Sequence, residues 1–205
     1  MGQANVVGSP GVQLPGYRID WTTPHGELMA YEPRLDEVVE HLRALAVAYN
    51  DPHNAPLLGH TQVLAESEVL DHYESLLGQE AHPFLLFADG ALAGDGDIRG
   101  IADGAGEFAF MIAAPSAQGK GLGTRFATML HVFAFTHLPI DRLYASIVPA
   151  NAASRRVFDK LGYAVDDSAA AREYADDGDV AMVIDKATFT RQHAAAMAQI
   201  RIAMR

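Results

Sequence analysis

The sequence predicts an α/β (α+β) domain whose mostly antiparallel sheet is flanked by helices. Three strand-like segments follow one another at residues 83–88, 91–102 and 107–113. Asp89-Gly90 and Asp103-Gly104 separate them, and such turns join antiparallel neighbours. Apolar side chains recur at helical spacing in residues 35–49, 66–77 and 122–137. The glycines within 91–102 further suggest a bulged strand.

The remaining segments complete one domain. Residues 1–16 are rich in Gly, Pro and small residues, which predicts a flexible N-terminal arm. Further strands are expected at residues 17–21, 28–31, 142–148, 163–165 and 180–184. A helix over residues 151–161 has Asn151 as N-cap and Gly162 at its C-terminal end. The main domain then spans residues 17–186, and the Ala-rich residues 187–205 are expected to form a C-terminal helix that could pack on a second copy.

Composition narrows the class of function. Half of the 205 residues are hydrophobic (49%) and only 20% are charged, which is typical of a globular chain. The net charge of −11 argues against nucleic-acid binding. It would attract a cationic acceptor, but solubility alone explains such a charge better. Apolar runs stay well short of the roughly 20 residues that a membrane span needs. The absence of cysteine excludes thiolate catalysis. Together with the absence of a secretion signal, it favours the cytoplasm.

A glycine-dense loop, Gln118-Gly-Lys-Gly-Leu-Gly-Thr124, follows an apolar strand and opens a helix. Exposed backbone N–H groups and the helix dipole make such a loop an anion site. Gly-Lys-Ser or Gly-Lys-Thr is absent at the offset of a Walker loop. Thr124 also stands where a dinucleotide-binding loop has its last glycine. The loop therefore predicts a phosphate-bearing ligand of another kind, and a plain connecting turn is the alternative.

Two motifs together resemble the GNAT acyltransferase superfamily. Pro115, Gln118, Gly121 and Gly123 match its pyrophosphate loop, written Gln/Arg-x-x-Gly-x-Gly/Ala. Residues 151–163, which begin with Asn and end in Lys-Leu-Gly-Tyr, match its second motif at the usual separation. The resemblance implies a mixed sheet in which two central strands splay apart around coenzyme A. It is nearest to the subgroup that acetylates protein N-termini and some antibiotics.

This resemblance implies a set of donor-binding residues. Backbone groups of the strand before the loop would pair with the pantetheine arm, and the loop amides would bind the pyrophosphate. The predicted cofactor-binding residues are Met111, Ile112, Ala113, Gln118, Gly119, Lys120, Gly121, Leu122, Gly123, Thr124, Asn151 and Ser154. Asn151 and Ser154 are equally consistent with an ordinary cap and a first-turn residue of a helix. The expected donor is acetyl-CoA, a longer acyl donor is the weaker reading, and no metal is expected.

The catalytic groups are less well specified. Family members often carry a Tyr as general acid seven residues after the Asn, and this sequence has Phe158 there. Tyr144, Ser146 and Tyr163 are the hydroxyl groups nearby in the chain. Glu107 is the expected general base, since many relatives have a Glu at the start of that strand, although a solvent-exposed carboxylate is the alternative.

The acceptor is expected to be a primary amine of a small molecule or of a peptide N-terminus. Its pocket would form from the two early helices and the loop before the last strand, where the candidates are His53, His60, Glu66, Asp71, His72, Glu74 and Asp166. The nine histidines show no metal-binding spacing. Asp95-Gly-Asp97-Ile-Arg-Gly100 resembles half a calcium loop, but a hairpin turn explains it better. A domain that binds acyl-CoA without catalysis, as a sensor or scaffold, is the alternative function.

Overall fold

A computed structural model describes residues 16–59 and 61–205. Almost all of the predicted N-terminal arm and the acceptor candidate His60 lie outside the described residues. The helices are α1 Leu35–Tyr49, α2 Glu66–Gly78, α3 Leu122–His137, α4 Ala152–Leu161, α5 Ala169–Arg172 and α6 Lys186–Met197. The strands are β1 Tyr17–Thr23, β2 Gly26–Tyr31, β3 His82–Ala88, β4 Ala91–Ala102, β5 Ala105–Ile112, β6 Arg142–Ile147, β7 Ala164–Val165, β8 Val180–Asp185 and β9 Arg201–Met204.

All nine described strands belong to one sheet in the order β7-β8-β6-β5-β4-β3-β2-β1-β9. Every neighbouring pair is antiparallel except β5 and β6. These two strands are parallel and pair only over Ala105–Glu107 and Arg142–Tyr144. Beyond Glu107 they diverge, so the sheet opens at its centre. The predicted mixed sheet with splayed central strands is confirmed.

The two faces of the sheet carry different layers. On β3, Phe84 and Leu86 pack toward α3, whereas Leu85 and Phe87 pack toward α1 and α2. This alternation follows from the two-residue period of a strand. Helix α3 is buried on nearly all sides because the sheet, α4 and α6 surround it. Helices α1 and α2 cover the other face over β2 and β3 and also reach β4, where Asp95 accepts from Tyr49 and Tyr73.

The C-terminal segment differs from its prediction. The helix ends at Met197, and residues 201–204 form an edge strand that pairs with β1. Ile202 of this strand packs against the main core. The prediction of a helix relied on composition, because residues 187–205 are rich in Ala, which favours a helix. Residues 201–204 form a strand instead because the open edge of β1 offers backbone hydrogen bonds.

The Asp95 to Gly100 segment was also wrongly interpreted. It is not a hairpin turn but the middle of β4, where Asp95, Asp97 and Arg99 point to one face. Asp95 and Asp97 are 4% and 6% exposed. Acidic residues at alternate positions looked like a turn because carboxylates are seldom buried in strands. The predicted bulge in β4 is confirmed by register shifts on both sides of the strand.

Candidate active site

A cavity of about 340 Å³ occupies the gap where β5 and β6 diverge. Its wall combines the end of β5, the glycine loop, α4 and the segment between α1 and α2. The lining residues are Asn54, Leu57, Leu58, Phe110, Met111, Ile112, Gln118, Gly119, Gly121, Gly123, Thr124, Asn151, Ala153, Ser154, Arg156, Val157 and Lys160. Another, more open cavity lies on the surface between the ends of α1 and α2, and it includes Glu66.

The glycine loop has the backbone of an anion site. Gly121 is left-handed (φ 77°) and immediately precedes α3. A side chain at Gly123 would place its Cβ 3.1 Å from the Phe110 ring. Because the first N–H groups of a helix have no helical acceptor, those of α3 are available to a ligand at the cavity wall.

Most of the predicted donor-binding residues meet at this cavity. Met111, Ile112, Gln118, Gly119, Gly121, Gly123, Thr124, Asn151 and Ser154 line it. Ala113, Lys120 and Leu122 do not line it. Leu122 is buried in the core and Lys120 is exposed, because the first turn of α3 directs one side chain inward and the loop directs the other into solvent.

The segment between α1 and α2 contributes residues that sequence reasoning missed. Asn54 is 3% exposed, and its Nδ2 donates to the carbonyls of Ala48 and Ala113 at 3.0 Å each. Gln118 Nε2 donates to Asn54 Oδ1 (2.9 Å) and to the Ile112 carbonyl (3.2 Å). The only signal was the helix-breaking Asp51-Pro52 that starts this segment. Side-chain amides thus attach it to the strand end and to the glycine loop.

Asn151 has two structural partners. Its Oδ1 accepts from the Ser154 N–H at 2.9 Å, which confirms the predicted N-cap of α4. Its Nδ2 donates to the Leu57 carbonyl at 3.0 Å. The Asn151 side chain therefore joins the cap of α4 to the same segment that Gln118 holds.

Basic side chains surround this cavity although the chain is strongly acidic. Arg156 and Lys160 line it from α4, and Lys120 and Arg125 lie at the start of α3. Arg125 Nε is buried and has no hydrogen-bond partner. A buried guanidinium N–H without a partner is costly unless a ligand supplies an acceptor. Basic side chains and unpaired backbone N–H groups at the start of α3 therefore lie at the same end of the gap.

Glu107, the predicted base, is engaged in an ion pair. Arg99 Nε donates to its Oε2 at 2.9 Å, and Arg99 Nη2 donates to its Oε1 at 2.7 Å. Glu107 and Arg99 face each other across β4 and β5, so the register creates this bidentate pair. Glu107 does not line the cavity, and its catalytic role stays a prediction.

Phe158 and the three hydroxyl-bearing residues nearby in the chain have packing or hydrogen-bond partners. Phe158 is 2% exposed and packs edge-on against Phe108, Phe110 and Tyr163. Tyr163 Oη lies 2.6 Å from Nε2 of the buried His131. Tyr144 stacks on Tyr174, and Ser146 Oγ donates to Asp179 Oδ2 at 2.8 Å. Among these groups, Ser146 is the one at the open end of β6.

Of the candidate acceptor residues, His53 comes near this site. Its Nε2 lies 3.2 Å from Gln118 Oε1. Among the described residues, no group of three or more His, Asp or Glu side chains could hold a metal ion. Nor is any described helix long and apolar enough to span a membrane.

Residues 34–164 match the family profile described as acetyltransferase (GNAT) domain. That stretch is well over half of the chain and contains the glycine loop and the whole cavity wall. The chain belongs to the GNAT acetyltransferase family. Membership makes it an acyl-CoA-dependent N-acetyltransferase with acetyl-CoA as donor. A search of curated protein sequences finds no match.

Solved structures similar to this GNAT chain support the same fold. RimJ from Mycobacterium smegmatis, in complex with CoA-disulfide, has a TM-score of 0.71 at 19% identity over 92% of this chain and 98% of its own. The aminoglycoside acetyltransferase AAC(6')-Ib with coenzyme A has a TM-score of 0.67 at 20% identity, covering 81% and 99%. Spermidine N-acetyltransferase from Vibrio cholerae, with CoA and spermine, has a TM-score of 0.65 at 18% identity over 79% of this chain and 97% of its own.

Proposed function

We propose that this GNAT enzyme acetylates a primary amine that carries further positive charge, either on a small molecule or at a peptide N-terminus. The observation that carries the proposal is the opposite polarity of the two ends of the site. Basic side chains lie beside the glycine loop, and acidic ones lie where the acceptor would approach. The structural neighbours named above include enzymes for aminoglycosides and spermidine, which are polycationic amines.

The donor end fits coenzyme A in its chemistry. The glycine loop offers backbone N–H groups to a pyrophosphate, and Lys120, Arg156 and Lys160 offer positive charge to phosphates. Phe110 and Val157 provide apolar contacts along the gap. Beyond Glu107, β5 pairs with β4 on one side only, so its backbone polar groups on the β6 side can pair with the amides of a pantetheine arm.

The acceptor end is acidic. Residues 173–179 between α5 and β8 read Glu-Tyr-Ala-Asp-Asp-Gly-Asp, and Asp179 is held by Ser146 at the end of β6. Asp97 and Glu107 lie on the same face of the sheet beside Arg99, whose pKa is raised in part by Asp176 of this loop. Negative charge there raises the local concentration of a cationic amine and speeds its association.

Acetyl transfer then needs few groups. The gap between β5 and β6 would hold the thioester, and the amine must lose a proton before it attacks the carbonyl carbon. We expect backbone N–H groups on the β6 side of β5 to donate to the developing oxyanion. Since Phe158 has no proton to give, the leaving thiolate takes one from the attacking nitrogen or from solvent.

A non-catalytic acyl-CoA-binding role is the second candidate, and two observations favour it. Phe158 replaces the common acid, and Arg99 occupies both oxygens of Glu107. Incubation of the protein with acetyl-CoA and a panel of mono- and polyamines distinguishes the two. Release of free thiol with polyamines in preference to monoamines is expected. Tight CoA binding without thiol release from any amine would establish the sensor role instead.

The donor assignment is tested with two glycine variants. Gly121 and Gly90 are both left-handed (φ 77° and 79°), so Gly→Ala strains each by about 1–2 kcal/mol. Gly121 lines the cavity and Gly90 lies in the β3–β4 hairpin. CoA affinity measured by calorimetry should fall at least about tenfold in Gly121→Ala and stay unchanged in Gly90→Ala. Equal affinities would refute the donor assignment.

A further inference from the structure

We propose that Asp97 is the carboxylate that binds the acceptor ammonium and removes its proton, and that the Arg99–Glu107 ion pair positions it. The inference rests on the proposed function, because it concerns the amine acceptor of the same site. It moves the base from Glu107, which sequence favours, to a neighbour on the adjacent strand.

Asp97 carries an unused acceptor atom. The residue is 6% exposed, and its Oδ1 is buried without a hydrogen bond. The nearest cation is Arg99, whose Nη1 lies 3.4 Å from Oδ1 but outside hydrogen-bond geometry. A buried carboxylate oxygen that lacks a donor costs stability, and an ammonium group would satisfy it.

Its neighbours are already committed to other partners. Asp95 Oδ2 accepts from the hydroxyls of Tyr49 (2.7 Å) and Tyr73 (2.8 Å). Glu107 accepts two hydrogen bonds from Arg99. Of the three carboxylates on this face of β4 and β5, Asp97 is the one with a buried oxygen left over.

Asp97 does not line the cavity, but the sheet register places it on the strand next to the part of β5 along which we place the donor. A donor whose pyrophosphate lies on the glycine loop extends back along β5 from Met111 toward Glu107. Asp97 is directly opposite Ala109 and diagonal to Met111, a residue of the cavity wall. Diagonal neighbours in antiparallel strands are about 7–8 Å apart, within reach of an amine placed between them.

The electrostatic surroundings suit a base that works near neutral pH. Burial, opposed by Arg99, raises the pKa of Asp97 to about 7. The groups that face it are Arg99 and Asp95 on β4, Glu107 on β5, Tyr49 on α1, Tyr73 on α2 and Asp176 beside Arg99. A base is most effective when its pKa is near the working pH.

The ammonium gives one proton to the Asp97 carboxylate, and the neutral nitrogen attacks the thioester carbonyl carbon. A C–N bond forms and the C–S bond breaks, and the sulfur leaves as a thiolate. A second proton of the nitrogen goes to this thiolate, which yields CoA thiol and the N-acetylated amine. Asp97 then releases its proton to solvent.

The test compares Asp97→Asn with Glu107→Gln, using pH profiles of kcat/KM and CoA affinity. Asp97→Asn should lower kcat by about 100-fold or more and remove the acidic limb of the profile, with CoA affinity unchanged. An amine already neutral at the assay pH needs no base, so it should restore most of the rate. Glu107→Gln should shift the acidic limb to lower pH. Arg99 then pairs with Asp97 alone and lowers the pKa of that carboxylate, which Glu107 no longer raises.

The outcomes separate the two proposals. If Asp97→Asn keeps the acidic limb of the kcat/KM profile and Glu107→Gln loses it, the base is Glu107 and the proposed role of Asp97 is wrong. Wild-type protein that binds CoA but acetylates no amine would refute the proposed function instead. Unchanged CoA affinity in both variants shows that the fold is intact.

Discussion

Gln118 Nε2 donates a hydrogen bond to Asn54 Oδ1 at 2.9 Å, which joins the glycine loop to the segment between α1 and α2. The same nitrogen lies 3.2 Å from the Ile112 carbonyl, and Asn54 Nδ2 donates to the next carbonyl, that of Ala113. Both amides thus hold the end of β5, where we place the pantetheine arm. The α1–α2 segment is therefore physically connected to the loop at which we propose that the donor binds.

Gln118→Glu should weaken CoA binding by at least about tenfold. The carboxylate cannot donate to Asn54 Oδ1, and it adds negative charge beside the site that we assign to the pyrophosphate. Titration calorimetry with CoA gives the measurement. Gln79→Glu, which adds the same charge at the exposed end of α2, is the matched control and should bind CoA like the wild type. Equal affinity in both variants would show that the loop lies away from the donor phosphates.

Local patterns predicted most of the fold. Helices α1 and α3 were predicted with the bounds that the structure has, because their apolar periodicity is strong and glycine or proline ends each segment. The hairpin at Asp89 and Gly90 follows from residues that favour left-handed backbone. Edge strand β9 escaped prediction because its pairing with β1 joins residues far apart in the sequence.

Residues of the cavity wall that belong to a sequence motif could be selected from sequence, whereas side-chain pairs that depend on strand register could not. Gly121 and Asn151 belong to short spaced patterns, so they could be selected from sequence. The pairing of Arg99 with Glu107 and the isolation of Asp97 depend on which residues of β4 and β5 face each other. A strand shift of one residue would reverse those faces, and no local pattern fixes it.

The basic side chains beside the donor cavity should act through charge. Lys160→Gln is expected to raise KM for acetyl-CoA a few-fold at low salt, and less at high salt, because the side chain is exposed and screened. Initial rates over a salt series give the comparison. Lys186→Gln, an exposed change at the start of α6, is the control and should leave KM unaffected. A Lys160 effect that persists at high salt would indicate direct packing instead of long-range attraction.

The His131–Tyr163 pair should make stability depend on pH. Burial lowers the pKa of His131 to about 3 from 6.5, so the folded protein binds this proton far less readily than the unfolded chain. A group with a lowered cationic pKa contributes stability above 6.5 that is lost as pH falls toward 3. At pH 5 the loss is about 2 kcal/mol, at about 1.36 kcal/mol per pH unit.

His131→Phe combined with Tyr163→Phe removes both polar partners together and leaves no buried hydroxyl unpaired. Chemical denaturation gives the free energy of unfolding at each pH. From pH 7 to pH 5 the wild type should lose about 2 kcal/mol more than the double variant. Tyr163→Phe alone retains the histidine and is the control, so it should follow the wild type. If the free energies of unfolding of the wild type and the double variant differ by the same amount at pH 7 and at pH 5, His131 is protonated in the folded state at pH 5.

Arg205 should contribute measurably to stability although it lies just beyond the edge strand β9. Its guanidinium carbon lies 4.2 Å above the Tyr31 ring, and its Nη2 is 2.6 Å from Glu37 Oε1. The side chain is 30% exposed, so solvent screens the ion pair, and Arg205→Met should cost about 1 kcal/mol. Thermal melting should show this as a drop of about 2–4 °C. Arg201→Met, an exposed change on the same strand, should leave the melting temperature in place, and an equal drop in both variants would assign the effect to β9 pairing instead.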